Sequence, residues 1–199
     1  MNTRGCVLGA LVVSVMLGVV PAGAGPLDAP GATKTLTCAA CHGQGGQSPS
    51  NTMPILAGMW PVYFKKAIED YAAGKRPSAE MEPYAKMVLQ MGVDDVATFF
   101  SSQPRSATAV AVDPAAVERG RAAAAECMQC HKTGGTTIGP AIVPDLRGQP
   151  PGYLLNQMRL FKQDKRSPGD PNLTKLKEMM QKIPDDTLTD LAAYWSSVK

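Results

Sequence analysis

The chain carries the pattern Cys-x-x-Cys-His twice, as Cys38-Ala39-Ala40-Cys41-His42 and as Cys127-Met128-Gln129-Cys130-His131. Two thiols one helical turn apart are placed to add to the two vinyl groups of one porphyrin. The histidine that follows then lies where it can give its nitrogen to the iron. A single Cys-x-x-Cys would also fit a zinc half-site or a redox dithiol. A zinc site lacks partners here, because the chain has two histidines and each directly follows the second cysteine of a pair. The pattern therefore predicts two covalently bound c-type haems. Cys38 and Cys41 tether the first, Cys127 and Cys130 the second, and His42 and His131 are the proximal iron ligands. Eleven methionines offer the thioether sulfur that commonly fills the sixth iron position.

These residues need helices to hold them. A first helix is expected from about Thr33 into the first motif, with Leu36 on its buried side. Residues 43–51 read as a polar, glycine-rich loop. From Trp60 to Ala73, the apolar residues Tyr63, Phe64, Ala67, Ile68 and Tyr71 recur at helical spacing. Gly74-Lys75-Arg76-Pro77 stops that helix. Residues 80–89 read as a loop entering a short helix. Val93 to Ser102 forms a closing helix with Val93, Val96, Phe99 and Phe100 on its apolar face. Residues 103–114 have no periodicity and read as a linker. The pattern then returns: an alanine-rich helix from Ala115 to Glu126, a loop at 134–140, and a helix from Gly152 to Lys162. A polar loop at 164–171, a helix at 173–182 and a closing helix from Asp185 to Val198 follow.

This is an internal repeat. His42 to His131 is 89 positions, Pro54 to Pro144 and Tyr63 to Tyr153 are 90, and Phe99-Phe100 to Tyr194-Trp195 is 95. The second copy thus has a longer loop before its closing helix. Nothing in the chain reads as a strand. Each unit is small and poor in large aromatics, so its core is marginal without the apolar bulk of a haem.

At the N-terminus, Val7 to Val20 is an apolar run of signal-peptide length, followed by Ala22-Gly23-Ala24 as a cleavage site. A leader at residues 1–24, a first domain at 25–105 and a second at 106–199 are expected. Cys6 leaves with the leader. Periplasmic export follows, since c-type haem is attached outside the bacterial cytoplasm. The formal charge is +3, with no dense basic tract and no interleaved aromatic platform, which argues against nucleic acid as a partner.

With these residues in place, each half resembles a class I cytochrome c domain, and the tandem is similar to the diheme cytochrome c4 family. The matching features are Cys-x-x-Cys-His, Pro-x-Leu-x-Gly, a tyrosine-bearing helix, a methionine, and a closing helix ending in an aromatic pair and Ser-Ser. The cytochrome subunit of flavocytochrome c sulfide dehydrogenases is also similar. The resemblance implies an all-α fold in which each domain wraps one haem. It implies that the carbonyls of Pro54 and Pro144 accept the ring N–H of His42 and His131. It implies Met81 as sixth ligand of the first haem, with Met53, Met59, Met87 and Met91 as competitors.

The second half departs from the family's pattern. A shift of 95 positions carries Met81 onto Leu176, and the nearest sulfurs are Met179 and Met180. Met179 is the expected ligand, Met180 its alternative, and Met158 is expected in the core. The implied function is one-electron transfer between a donor and a terminal acceptor of a respiratory chain, not enzymatic catalysis. The expected partners are redox proteins, an oxidase or a dehydrogenase, with a flavoprotein and peripheral membrane association as further candidates. Two alternatives remain open: a cytochrome subunit of a periplasmic dehydrogenase, and a diheme enzyme with an open second haem.

Overall fold

The computed structural model describes residues 29–131, 143–169 and 174–199. The expected leader, the loop at 134–140 and the end of the loop at 164–171 lie outside these residues. The described residues are helical and contain no strand. In chain order the α-helices are α1 (Ala39–His42), α2 (Pro61–Ala72), α3 (Met81–Met91), α4 (Val93–Ser102), α5 (Pro114–Ala123), α6 (Pro151–Lys162), α7 (Thr174–Lys182) and α8 (Asp185–Ser197). Pro61, Pro114 and Pro151 open α2, α5 and α6, where a missing N–H leaves no bond unmade. The Asp113 carboxylate caps α5 by accepting from the Ala115 N–H at 3.0 Å, which satisfies a donor that the helix itself cannot.

The described residues form two cores. In the first half α2 packs against α3 and α4, burying Phe64, Ile68, Tyr71, Ala85, Val88, Val96, Phe99 and Phe100. The expected apolar face of α2 is buried at every named position. In the second half α5 and α6 pack on α8, and α7 on α6. Their core holds Tyr153, Leu154, Met180, Leu188, Leu191, Tyr194 and Trp195. Gly120 is what lets α5 cross α8 closely: a Cβ there would collide with the Asp190 carbonyl.

Two expectations are corrected. Leu36 is 55% exposed, because the chain before the first motif is a 3-10 turn (Ala32–Thr35) rather than an α-helix. That tighter winding buries Ala32 and Thr35 instead. The expected loop entering a short helix at 80–89 is helical from Met81 onward, within the three-turn helix α3. Its start is fixed by the Ser78 hydroxyl, which accepts from the Met81 N–H at 3.2 Å.

The halves are joined by more than a linker. The segment between α4 and α5 has no helix, yet it is pinned to both sides. The Ser106 N–H donates to Gln47 Oε1 at 3.0 Å, Gln47 Nε2 returns a bond to the Ser106 carbonyl, and the Thr108 N–H donates to the Gly148 carbonyl. Gln149 reaches across to Ile55: its Oε1 accepts from the Ile55 N–H at 2.9 Å, and its Nε2 donates to the Ile55 carbonyl at 2.8 Å. Asn51 likewise accepts from the Gly152 and Tyr153 N–H groups at the start of α6. Gly58 and Gly148 hold equivalent places. Both have positive φ, 66° and 62°, and each N–H donates to the last turn of its own closing helix, at Phe100 and Trp195.

Candidate functional site

Both Cys-x-x-Cys-His motifs fold into the same turn. The His42 N–H donates to the Cys38 carbonyl and the His131 N–H to the Cys127 carbonyl, each at 2.9 Å. That bond places the two thiols of each motif one turn apart and brings the histidine back over the first cysteine. None of the four motif cysteines is paired in a disulfide. Burial pushes the Cys38 and Cys127 thiols above their ordinary pKa, the opposite of what a redox dithiol requires.

The imidazoles are held from behind. His42 Nδ1 donates to the Pro54 carbonyl at 2.9 Å and His131 Nδ1 to the Pro144 carbonyl at 2.8 Å, as the resemblance implied. Such a bond fixes the tautomer and leaves Nε2 free to bind a metal. Burial pulls both imidazoles below the ordinary histidine pKa, partly offset by the proline carbonyls, so both rings are neutral at pH 7. Nε2 of His42 is buried and has no hydrogen-bond partner among the described residues. Trp195 packs edge-on against the His131 ring with centroids 6.2 Å apart.

Each histidine borders a cavity. The first, about 370 Å³, is lined by Cys38, Cys41, His42, Met53, Met59 and Met81 among others. The second, about 610 Å³, is lined by Cys127, Cys130, His131, Met158, Leu176, Met179 and Met180 among others. Both volumes suit a large cofactor. Among the described residues no group of three or more His, Cys, Asp or Glu is placed to hold a bare metal ion. Two thiols, one unsatisfied imidazole nitrogen and an apolar cavity are what a covalently attached haem needs.

The methionines divide by place. Met81 is the first residue of α3, on the cavity wall. Met87 and Met91 do not line the first cavity, whereas Met53 and Met59 do. In the second half Leu176, 95 positions on from Met81, stands on the cavity wall. Met180 is buried in the core at 6% exposure, and Met179 is partly buried beside it. Both border the cavity.

The site also contains residues that the sequence reading passed over. Arg76 and Arg166 had been read as parts of a helix stop and a polar loop, yet they are 2% and 9% exposed. Their guanidiniums bond Tyr153 and Tyr63 respectively. Burial alone would raise the Tyr63 phenol, but the charges of Arg166 and Arg76 outweigh it and hold its pKa below the ordinary value. For Tyr153 burial wins and its pKa is pushed up to about 12. The available signal was the repeat itself: Arg76 to Arg166 is 90 positions, the same interval as Tyr63 to Tyr153.

Comparison with known proteins agrees with this geometry. The cytochrome c family profile matches residues 117–199. Cytochrome c4 of Pseudomonas aeruginosa is 29% identical, over 83% of this chain and 86% of the relative. Cytochrome c4 of Thiocapsa roseopersicina is 30% identical, over 68% of this chain and 73% of the relative. The chain belongs to the cytochrome c4 family. The crystal structure of reduced cytochrome c4 from Pseudomonas stutzeri superposes with a TM-score of 0.73 at 27% identity, covering 84% of this chain and 96% of that one. A protein of Stutzerimonas stutzeri described as a thiosulfate dehydrogenase electron acceptor is 29% identical, over 82% of this chain and 79% of its own. Like its cytochrome c4 relatives, this chain is a diheme electron-transfer cytochrome with two tandem class I domains and two covalent haems.

Proposed function

We propose that this cytochrome is a periplasmic carrier that takes single electrons from a dehydrogenase and delivers them to a terminal oxidase, without catalysing a reaction of its own. The observation that carries this is the pairing of two alike cavities that share part of a wall. Met59, Tyr63, Tyr153 and Gln157 line both, so an electron arriving in one half has a short packed route to the other. The kinship with an electron acceptor of a thiosulfate dehydrogenase favours a dehydrogenase of that kind as donor. The apolar run at Val7 to Val20 favours export.

The residue roles belong to the same reading. Cys38 and Cys41 tether the first haem, and Cys127 and Cys130 the second. His42 and His131 ligate the irons, oriented by Pro54 and Pro144. Met81 would ligate the first iron and Met179 the second. When bound, a haem of this ligation supplies reversible one-electron chemistry at a high potential. Both histidines are committed as ligands, so the chain holds no spare imidazole for acid–base work. Domain limits of 25–105 and 106–199 accompany this reading.

The test is direct. The purified holoprotein is reduced with a candidate dehydrogenase and its substrate, and both Soret bands are followed. Full reduction of both haems and reoxidation by an oxidase-containing membrane support the carrier role. Turnover of thiosulfate by the cytochrome alone would replace it with the enzyme reading.

A further inference from the structure

The two halves differ on the helix that carries each candidate methionine. A shift of 95 positions aligns the aromatic pairs that close α4 and α8. The same shift carries Glu80, Met81 and Ala85 onto Lys175, Leu176 and Met180. Burial agrees with this register. Met81 and Leu176 are partly buried and line their cavities, while Ala85 and Met180, one turn on, are buried in their cores. In this register the second half has leucine where the first has methionine, and a leucine side chain cannot bind iron. Met179 lies three residues further along α7, on the same side of the helix and about 4.5 Å along its axis. Its aligned residue in the first half is Tyr84, which lines the first cavity and is 45% exposed. The anchoring differs too. The Ser78 hydroxyl holds the Met81 N–H, and α3 packs against both α2 and α4. The apolar residues of α7 are Leu176, Met179 and Met180, and of these Met180 alone is buried. The charge beside each position is reversed as well: Glu80 lines the first cavity and Lys175 the second, both exposed.

We infer that the second haem has an exchangeable sixth position, which takes a small anion with a nitrogen or sulfur donor when the iron is ferric, while the first haem stays closed. This rests on the haem reading above and on Met179 as the second iron's ligand. A thioether is a soft, neutral donor that favours ferrous over ferric iron. A tethered sulfur competes with a free anion through its effective concentration, which falls when the tether is badly placed. Met81 opens a helix pinned at that point, whereas Met179 reaches from one turn further on, in a helix with one buried apolar anchor. The step is a substitution. The bond from the Met179 sulfur to iron breaks, a lone pair of the anion forms the new bond, and no electron is transferred. Met179 leaves the iron while Met180 keeps α7 in the core. Lys175 attracts the anion, and Glu80 repels it at the first haem. Both act through water, so salt weakens the difference. An anion offsets the charge of ferric iron and therefore holds the second haem oxidised, which interrupts electron flow through that half alone.

The experiment is an azide titration of the fully oxidised holoprotein, followed by the methionine-to-iron charge-transfer band and by NMR of each haem's axial ligands. Haem content is counted first, by pyridine haemochrome and mass. Fewer than two haems in the unmutated protein refutes the haem reading itself. A second haem that is high-spin before azide is added refutes Met179 as its ligand, and the exchange with it. With both haems closed, azide is expected to displace the second methionine at a concentration about tenfold or more below that needed for the first. Equal affinities at the two haems, or no binding at the second, overturn the inference. Leu176→Met restores a sulfur at the aligned position and is expected to weaken azide binding to the second haem about tenfold. Lys175→Glu, at an exposed residue, is expected to weaken it about threefold at low salt and less at high salt. An unchanged affinity in Leu176→Met refutes the register, and in Lys175→Glu the role of the charge. If Leu176→Met does not assemble, the unmutated protein and Lys175→Glu still decide. Azide at about ten times its dissociation constant is expected to lower the equilibrium constant for reduction of the second haem about elevenfold and to leave the first unchanged. An unshifted second haem refutes the preference for ferric iron.

Discussion

Replacing Gln149 by alanine tests the joint between the halves and the support of His42 together. The Gln149 side chain is 4% exposed, and Ile55, its partner, is fully buried. Both Ile55 backbone groups depend on it, through bonds of 2.9 and 2.8 Å. A buried backbone group left without a partner costs about 1–3 kcal/mol. Two such groups, partly relieved by water entering the vacated space, give an expected loss of about 2–4 kcal/mol. Ile55 directly follows Pro54, whose carbonyl holds the His42 ring, so the damage reaches the first iron ligand. Urea denaturation, followed by tryptophan emission and by the Soret band of the first haem, measures it. A lowered midpoint in both signals is expected. A loss below about 1 kcal/mol would mean that water replaces both bonds, and the reasoning from buried polar groups would fail here.

Other outcomes follow from the same structure. The mature protein carries two haems that survive acid–acetone extraction, and a mass with one haem would refute the assignment of both motifs. Met81→Ala abolishes the methionine-to-iron charge-transfer band of one haem and lowers its potential; unchanged spectra would move the ligand to Met53 or Met59. Met179→Ala makes the second haem high-spin and able to bind carbon monoxide. Met180→Ala instead costs about 2–4 kcal/mol of stability as a core truncation and leaves that haem closed. Burial alone would raise the Asp145 carboxyl, but bonds from the Arg147 side chain and backbone and the charge of Arg105 hold it below the ordinary value. A depressed carboxylate stabilises the fold fully above its unfolded pKa, and that stability is lost as pH falls through the folded value. The second half therefore loosens in acid below about pH 4, and Asp145→Asn, followed by thermal melts against pH, removes that dependence.

Much of the fold was legible because period and punctuation agreed. In α2 the five apolar residues at helical spacing are all buried, and α4 begins and ends at the residues expected of it. Where local signals were weak, the reading failed. Leu36 looked like a core residue by its type, but the 3-10 winding of Ala32–Thr35 turns it outward. The site was legible at the cysteines and histidines, whose spacing is itself the chemistry. Arg76 and Arg166 were not, because an arginine in a glycine- and proline-rich loop is usually solvated. Only a structure in which two loops meet across an interface removes that water.

The crossed arginine–tyrosine bonds bear on how the chain came to be. Tyr63 and Arg76 lie in one half, and Tyr153 and Arg166 are their images 90 positions on. A single half is thus self-complementary: two copies related by a twofold axis would form both bonds, as in an isologous homodimer. The tandem chain has the architecture of such a dimer after fusion through residues 103–113. Gln149 and Gln157 have no counterpart, since Met59 and Ala67 occupy the matching places. At these two places the halves differ. A first half expressed alone keeps the self-pairing tyrosine and arginine but loses Gln149 from Ile55, so its pairing with itself is expected to be weaker than the joint in the full chain.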